Sequence, residues 1–398
     1  MDAREQSFAG PPPYQAVGRH AVMPETSHDE AARFNFLANL NKYLSSALLP
    51  GVKRAYEQRA KPRFVAEHGR LPQHRREVRE LMAQESAYQN WSALRRSTME
   101  CRQQAGRAVV LRQLDRLNRT AAALNQDSPR LHLQPDFAVP RYVAAVDHHC
   151  MPGGYTGELA ADDVSAPANY DVGIFATTGG ALGRYSDGGG RALVSWLQEA
   201  HPDFRPRRIL DIGCGLGHNT LPLAQAFPDA EVVAVDVAAP MLRYAHARAR
   251  SLGVSNVRFV QANAEHLDEA DQSFDLIVSC MVLHETSRTA IEKLFGETRR
   301  LLAPGGMVLH VEQPQYHGMD VFEQFLRDWD AFNNNEPFWT TMHDMDLRAL
   351  AVRHGFASEQ TFETGVRAAN DDSLFPPSDV RKEDYGRAAA WYVFGARA

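Results

Sequence analysis

The stretch RRILDIGCGLGHNT, residues 207–220, sets Gly213, Gly215 and Gly217 at alternate positions behind a short apolar run that contains the acid Asp211. Glycines at this spacing let a strand-to-helix turn take positive φ and bring its N–H groups against a ligand with no Cβ between. The dinucleotide fingerprint is GxGxxG; here the pattern is GxGxG, and His218 stands where the third glycine would fall. A glycine triplet alone fits several ligands, so the sequence around it has to decide.

Outward from the triplet, apolar runs alternate with helical stretches. The runs are RRILDIG, AEVVAVDV, NVRFVQAN, FDLIVSCMVL and GMVLHVEQ, followed later by ASEQTFETG and AWYVFGARA. Near-continuous apolar strands separated by helices indicate an α/β fold, a parallel sheet covered on both faces. Such a sheet binds its ligand at the carboxyl ends of the strands, where strand order reverses, and the first strand-to-helix turn is the usual cradle.

The chain ahead of this core differs in character. Residues 1–30 are polar with three consecutive prolines and are expected to form a flexible arm. Residues 31–124 read as a helical domain of four or five helices. One of them ends at the pair Pro50-Gly51, and a long one is interrupted at Gly106. Between Gly51 and Thr120 there are 16 Lys/Arg against 7 Asp/Glu. That excess suits helices that pack on the rest of the protein or on a second copy in a homodimer, or else an RNA-binding arm, for which interleaved aromatics are lacking. Residues 125–190, rich in Gly, Pro and Asp, read as a connector, and 191–398 as the ligand-binding domain with a cap insertion at about 316–345.

Nineteen residues past Gly217 the second run ends in Asp236, placed to accept hydrogen bonds from two ribose hydroxyls; the third ends in QANAEHL and the fourth runs SFDLIVSCMVLHE. With these motifs in this order, residues 207–313 resemble the class I S-adenosylmethionine-dependent methyltransferases, and are similar to the ubiquinone/menaquinone-biosynthesis group among them. The resemblance implies a Rossmann-like seven-stranded sheet and S-adenosyl-L-methionine as cofactor. It places Asp211, Gly213 and Gly215 along the methionine moiety, Asp236 at the ribose, Met241 over the adenine and Cys280 with Met281 beside the sulfonium, and counts Gly217 and Val237 among the cofactor-binding residues. Where the family commonly has Asp-Ala at the adenine, this chain has Asn263-Ala264, whose amide oxygen can still accept from an amino group. Met241 is also read as a core residue, and Cys214 and Cys280 as small packing residues.

Methyl transfer from a sulfonium is an in-line displacement in which the protein aligns a nucleophile and, where needed, takes its proton. His284, after the fourth run, is the candidate base or substrate hydrogen bonder. Glu312, which alternation places on one face with His310, is the second candidate, and Tyr185 with Arg184 in the expected cofactor cover is the third. His284, His310, Glu312 and His317 match no metal-ligand spacing, so no metal is expected. The DHHC tetrad at 147–150 is similar to a palmitoyl-transfer motif, but that chemistry belongs to multi-spanning membrane proteins. The aromatic cap, with Phe322, Phe325, Trp329, Phe332, Phe338 and Trp339, suggests a lid over a small organic acceptor.

Composition adds limits. The formal net charge of −6 over 398 residues argues against a surface built for nucleic acid. Four cysteines without CxxC spacing, and no apolar N-terminal segment, indicate a soluble, cytoplasmic protein. The rival readings are an RNA methyltransferase using the basic helices, disfavoured because no Asn-Pro-Pro-Tyr motif follows the fourth run, and a non-catalytic cofactor-binding scaffold.

Overall fold

The computed structural model describes residues 10–369, 371, 373–374 and 390–398. All seven apolar runs are strands: β2 Arg208–Ile212, β3 Glu231–Asp236, β4 Val257–Gln261, β5 Phe274–Cys280, β6 Leu302–Glu312, β7 Thr361–Arg367 and β8 Ala390–Arg397. An eighth, the two-residue β1 Leu131–His132, extends the expected seven-stranded sheet at its edge, giving the order β1-β4-β3-β2-β5-β6-β8-β7. Pairing is parallel from β1 to β6, and β8 runs antiparallel to both β6 and β7. The chain winds outward from β2 through β3 and β4, then returns to start again at β5, so order reverses between β2 and β5. Ile212, Asp236, Gln261 and Cys280 therefore finish along one edge.

Alternation along the strands divides the core between two faces. Ile209, Val232, Ala234, Phe259 and Val278 pack under the helices Gly188–Ala200, Thr220–Ala226 and Ala239–Ser251. Leu210, Val233, Val235, Ile277 and Val308 face the helices Arg288–Leu301 and Leu347–Arg353. Both faces are buried, which is why the strands read as continuous apolar runs.

The N-terminal region departs from its sequence pattern in three places. Residues 10–27 are irregular but not an arm: Tyr14, Val17, Val22 and Met23 are buried, and the Tyr14 hydroxyl donates to the Val172 carbonyl at 2.6 Å. Residues 1–9 of the expected arm lie outside the described residues. The helix His28–Tyr43, opened by a Ser27/Glu30 capping box, does not stop at Pro50-Gly51 but runs on to Gly69, which caps it at φ 67°. Two π-wound turns, at Leu44–Leu48 and Tyr56–Ala60, sit directly ahead of Pro50 and Pro62. A proline has no N–H for the regular ladder, and the widened turns absorb that loss. The helix Ser86–Leu111 passes through Gly106 unbroken; glycine stands there for close packing, since a Cβ would overlap the Asn169 side chain of the neighbouring helix.

That neighbour, Ser165–Thr178, is a helix inside the expected connector. Eleven of its fourteen residues are buried, so it has no polar face and no readable period. The cap insertion forms three short helices, Val321–Arg327, Trp329–Asn333 and Trp339–His343. Phe322, Phe325 and Trp329 pack into one cluster with Val52, Tyr56, Val78 and Trp91 of the N-terminal helices. Much of the basic excess meets this insertion: Arg75 and Arg79 bind Asp328 at 2.8 and 2.9 Å, Arg95 binds Asp330, and Arg96 donates to the Asn333 carbonyl. The basic helices thus pack on the rest of the protein, the first of the two uses their composition allowed. Among the described residues no helix is long and apolar enough to cross a membrane.

Candidate functional site

A cavity of about 530 Å³ opens where the carboxyl edge of the sheet meets the N-terminal helices and the cap. Its floor is the β2 turn. Gly213, Gly215 and Gly217 have φ of 66°, 49° and 76°, the left-handed region that favours glycine. The reasons for the first two differ. A Cβ on Gly213 would lie 2.6 Å from Cγ2 of Val282, whereas one on Gly215 would meet nothing within 4 Å and would project into open cavity. Gly213→Ala is therefore expected to destabilise the fold by about 2–4 kcal/mol, from positive φ and overlap together. Gly215→Ala should leave melting nearer the wild type and act on ligand affinity instead. Thermal melting of the two variants, and of Gly213→Ala with Val282→Ala to remove the overlap alone, checks this.

The turn is fastened to the next strand. Gly213 and Cys214 both donate to the Val235 carbonyl, and Gly215 donates to Oδ2 of Asp236 at 2.9 Å. Oδ1 of Asp236 accepts from the Ala238 N–H, so each oxygen keeps one lone pair for a ligand hydroxyl. Burial raises the Asp236 carboxyl above its ordinary value, against the pull of these N–H bonds. Val237, Met241, Asn263, Ala264 and Cys280 all line the cavity. Met241 is at once wall and core, packed with Tyr244 and Leu216. The Asn263 oxygen already accepts from the Glu265 N–H at 3.0 Å, which leaves it one lone pair for an adenine. Burial raises the Cys280 thiol far above its ordinary value, so it stays protonated and packs.

Four expected residues do not reach the wall of the cavity. Asp211 is buried beneath the glycine turn and accepts from the Thr220 hydroxyl at 2.5 Å; burial raises its carboxyl to about 7. Gly217 closes the turn by donating to the Cys214 carbonyl. Glu312 is fully buried behind the site, where Oε1 accepts from the Leu283 N–H and Oε2 from His284 Nδ1, both at 2.6 Å. It positions His284 rather than meeting a ligand. Tyr185 is 36% exposed with its ring against Gly18, and its neighbour Arg184 turns outward to Ser373 and the Ala16 carbonyl. The aromatic ring expected to cover the site is taken up by the packed N-terminal segment.

His284 does line the cavity, edge-on to Trp339 at 4.8 Å between ring centroids. Burial alone would lower its pKa, but the Glu312 charge and hydrogen bond outweigh it and bring the ring to about 9. At neutral pH His284 is an imidazolium, a donor rather than a base.

The structure adds residues that spacing did not reveal. The two histidines of the DHHC tetrad, His148 and His149, lie on the cavity wall. His149 Nε2 stands 3.1 Å from Oε1 of Glu285, and its Nδ1 stands 2.8 Å from Oε1 of Glu336. Burial opposes a charge on His149, but the Glu336 charge and both carboxylate contacts hold its pKa well above the ordinary value. Tyr155 donates to the same Glu285 oxygen at 2.7 Å and stacks on His148. Arg102, also on the wall, is 3% exposed and donates to the Tyr170 carbonyl. No single motif joins these residues, because the 147–156 loop supplies three and the β5 turn, the cap and the helix Ser86–Leu111 one each.

Residues 209–306 match the family described as "Methyltransferase domain". A demethylmenaquinone methyltransferase of Thermus thermophilus is 39% identical over 109 residues, 27% of this chain and 48% of the relative. A malonyl-[acyl-carrier protein] O-methyltransferase of Geobacter sulfurreducens is 33% identical over 168 residues, 40% of this chain and 58% of the relative. The chain spans about half the length of the curated relatives it matches. Among solved structures, phosphoethanolamine N-methyltransferase 2 of Haemonchus contortus in complex with S-adenosyl-L-methionine is 21% identical, with 57% of each chain covered and a TM-score of 0.41.

Proposed function

We propose that this chain, which carries at residues 209–306 a methyltransferase domain of the class I S-adenosylmethionine-dependent kind, transfers a methyl group to a small organic acceptor held between that domain and the N-terminal helices. The observation that carries the reading is the pairing of the open Gly215 turn with Asp236 across one hydrogen bond at the strand-order switch. The residues present fit the cofactor. Gly215 leaves room for its methionine end, the free lone pairs of Asp236 suit two ribose hydroxyls, and Asn263 with Ala264 suits an adenine edge. When bound, the cofactor supplies an electrophilic methyl on a sulfonium and takes the leaving electron pair.

The chain's own residues orient the acceptor and exclude water. Trp91, Tyr142, Tyr170 and Trp339 give the cavity an apolar, aromatic wall, and the cap closes it from above. His284, held protonated by Glu312, donates to the acceptor and fixes its approach to the methyl group. An acceptor of this size class, rather than RNA, suits basic helices whose arginines are engaged with the cap.

Calorimetric titration with S-adenosylhomocysteine, then small acceptors screened with labelled methyl donor, tests the proposal. Saturable one-to-one binding is expected, and uptake of a nicotinamide or flavin nucleotide instead would overturn it. On the acceptor so found, His284→Ala should lower kcat about 10–100-fold with S-adenosylhomocysteine affinity within about twofold. His284→Gln, which keeps a donor, should recover part of the loss. Unchanged kcat in both variants removes His284 from the reaction.

A further inference from the structure

Three segments distant in sequence converge on one cavity wall: the 147–150 turn, the turn after β5 and the cap. His149 and Cys150 are successive non-glycine residues at φ 54° and 56°, a conformation held only when the surroundings impose it, and it delivers the His149 ring between Glu285 and Glu336. One ligand atom from each of the three residues lies within 4.8 Å of the other two. Glu336 is 1% exposed. Its Oε1 approaches His149 Nδ1 at 2.8 Å outside hydrogen-bond alignment, and its Oε2 has no hydrogen-bond partner among the described residues. A second buried group, His148, stacked on the Tyr155 ring that bonds Glu285, is in the same condition: neither of its ring nitrogens has a hydrogen-bond partner among the described residues. Buried polar atoms in such a state call for a missing partner.

We propose that His149, Glu285 and Glu336 form a site for a divalent first-row transition cation, on the wall of the cavity that holds the acceptor. Once the incoming cation has displaced the imidazole proton, two carboxylates and the ring carry a net charge of −2, which a divalent cation balances. One nitrogen and two carboxylate oxygens suit manganese, iron, cobalt or zinc better than the all-oxygen preference of calcium or the thiolate preference of copper(I). An outer partner of the kind that orients a metal ligand is present. The Tyr155 hydroxyl bonds Glu285 and holds that carboxylate in place. If the methyl-transfer reading holds, a cation here would bind and polarise an oxygen of the acceptor; the metal site itself does not depend on that reading.

The test uses the full chain, stripped with a chelator and titrated with Co²⁺ alone, by calorimetry and by visible absorption. One equivalent per chain is expected, with a visible band from the bound ion. Glu336→Gln and Glu285→Gln should each weaken Co²⁺ binding at least tenfold, while S-adenosylhomocysteine affinity stays within about twofold and so reports a folded chain. Absence of stoichiometric Co²⁺ binding to the wild type overturns the proposal and leaves the cluster an ion-paired triad. Wild-type Co²⁺ affinity in both variants overturns it equally. A chain that binds Co²⁺ but not S-adenosylhomocysteine would overturn the proposed function and leave the metal site standing.

Discussion

Asp236→Ala is expected to weaken S-adenosylhomocysteine binding by about a hundredfold or more, the largest loss of affinity from any single substitution in the cavity. The carboxylate serves two structures at once. Its oxygens accept from the N–H groups of Gly215 and Ala238, and their remaining lone pairs are left for the two ribose hydroxyls of the proposed cofactor. A hydrogen bond to a charged group contributes about 1.5–3 kcal/mol, so two ribose bonds correspond to at least two orders of magnitude in the dissociation constant. Removing the side chain also frees the Gly215 N–H and loosens the turn that the methionine end must approach. Asp236→Asn separates these effects in part: its one amide oxygen keeps the Gly215 N–H, while its amide nitrogen replaces the acceptor of the Ala238 N–H and turns a donor toward the sugar, so it should lose much of the affinity with a smaller fall in melting than alanine gives. Calorimetry on both variants measures the difference. Affinity within about threefold of wild type for Asp236→Ala would mean that the sugar is bound elsewhere.

The sequence made the sheet and the cofactor floor readable because both obey local rules. Seven apolar runs became seven strands, and the residues that end them at the switch became cavity wall, as a doubly covered parallel sheet requires. What stayed hidden depends on tertiary contacts. The helix Ser165–Thr178 is buried on nearly every side and shows no period, and Pro50 stops nothing because a π-wound turn precedes it. Glu312 was placed on the correct strand and face, but alternation cannot tell a residue on the wall from one behind it. Tyr185 was misplaced because the segment at 10–27 packs where an arm was expected. The cluster of His149, Glu285 and Glu336 spans almost 190 residues of chain, and only the closure of cap upon loop makes it one site.

Asp171→Ala carries the largest expected cost in stability, because a single carboxylate ties four separate parts of the fold. From the helix Ser165–Thr178, Asp171 Oδ2 takes His20 Nε2 at 2.9 Å and the Tyr244 hydroxyl at 2.7 Å, and Oδ1 takes His218 Nε2 at 3.0 Å. Burial by itself would raise the Asp171 carboxyl, but the hydrogen bonds from His20 and His218 outweigh it and hold the group well below its usual range. Burial holds the His218 ring below its ordinary value, so it meets the carboxylate as a neutral N–H donor, as the Tyr244 hydroxyl does; alanine leaves three buried polar groups facing a cavity, which costs about 3–5 kcal/mol. For a chain of 398 residues that corresponds to a fall in melting temperature of about 5 °C. Because the folded-state pKa is depressed, the contribution is in full force above about pH 4, the unfolded value, and declines only as pH falls through the folded one. The gap between wild type and variant should therefore persist from pH 8 down to about 5. His218 follows the glycine turn directly, yet none of the Asp171 bonds reaches Gly215 or Asp236. Melting should therefore fall sharply while S-adenosylhomocysteine affinity changes only a few-fold, the reverse of the Asp236→Asn pattern. A melting temperature within about 1 °C of wild type would mean that His20, His218 and Tyr244 find other partners, and that the N-terminal segment is anchored chiefly by Tyr14.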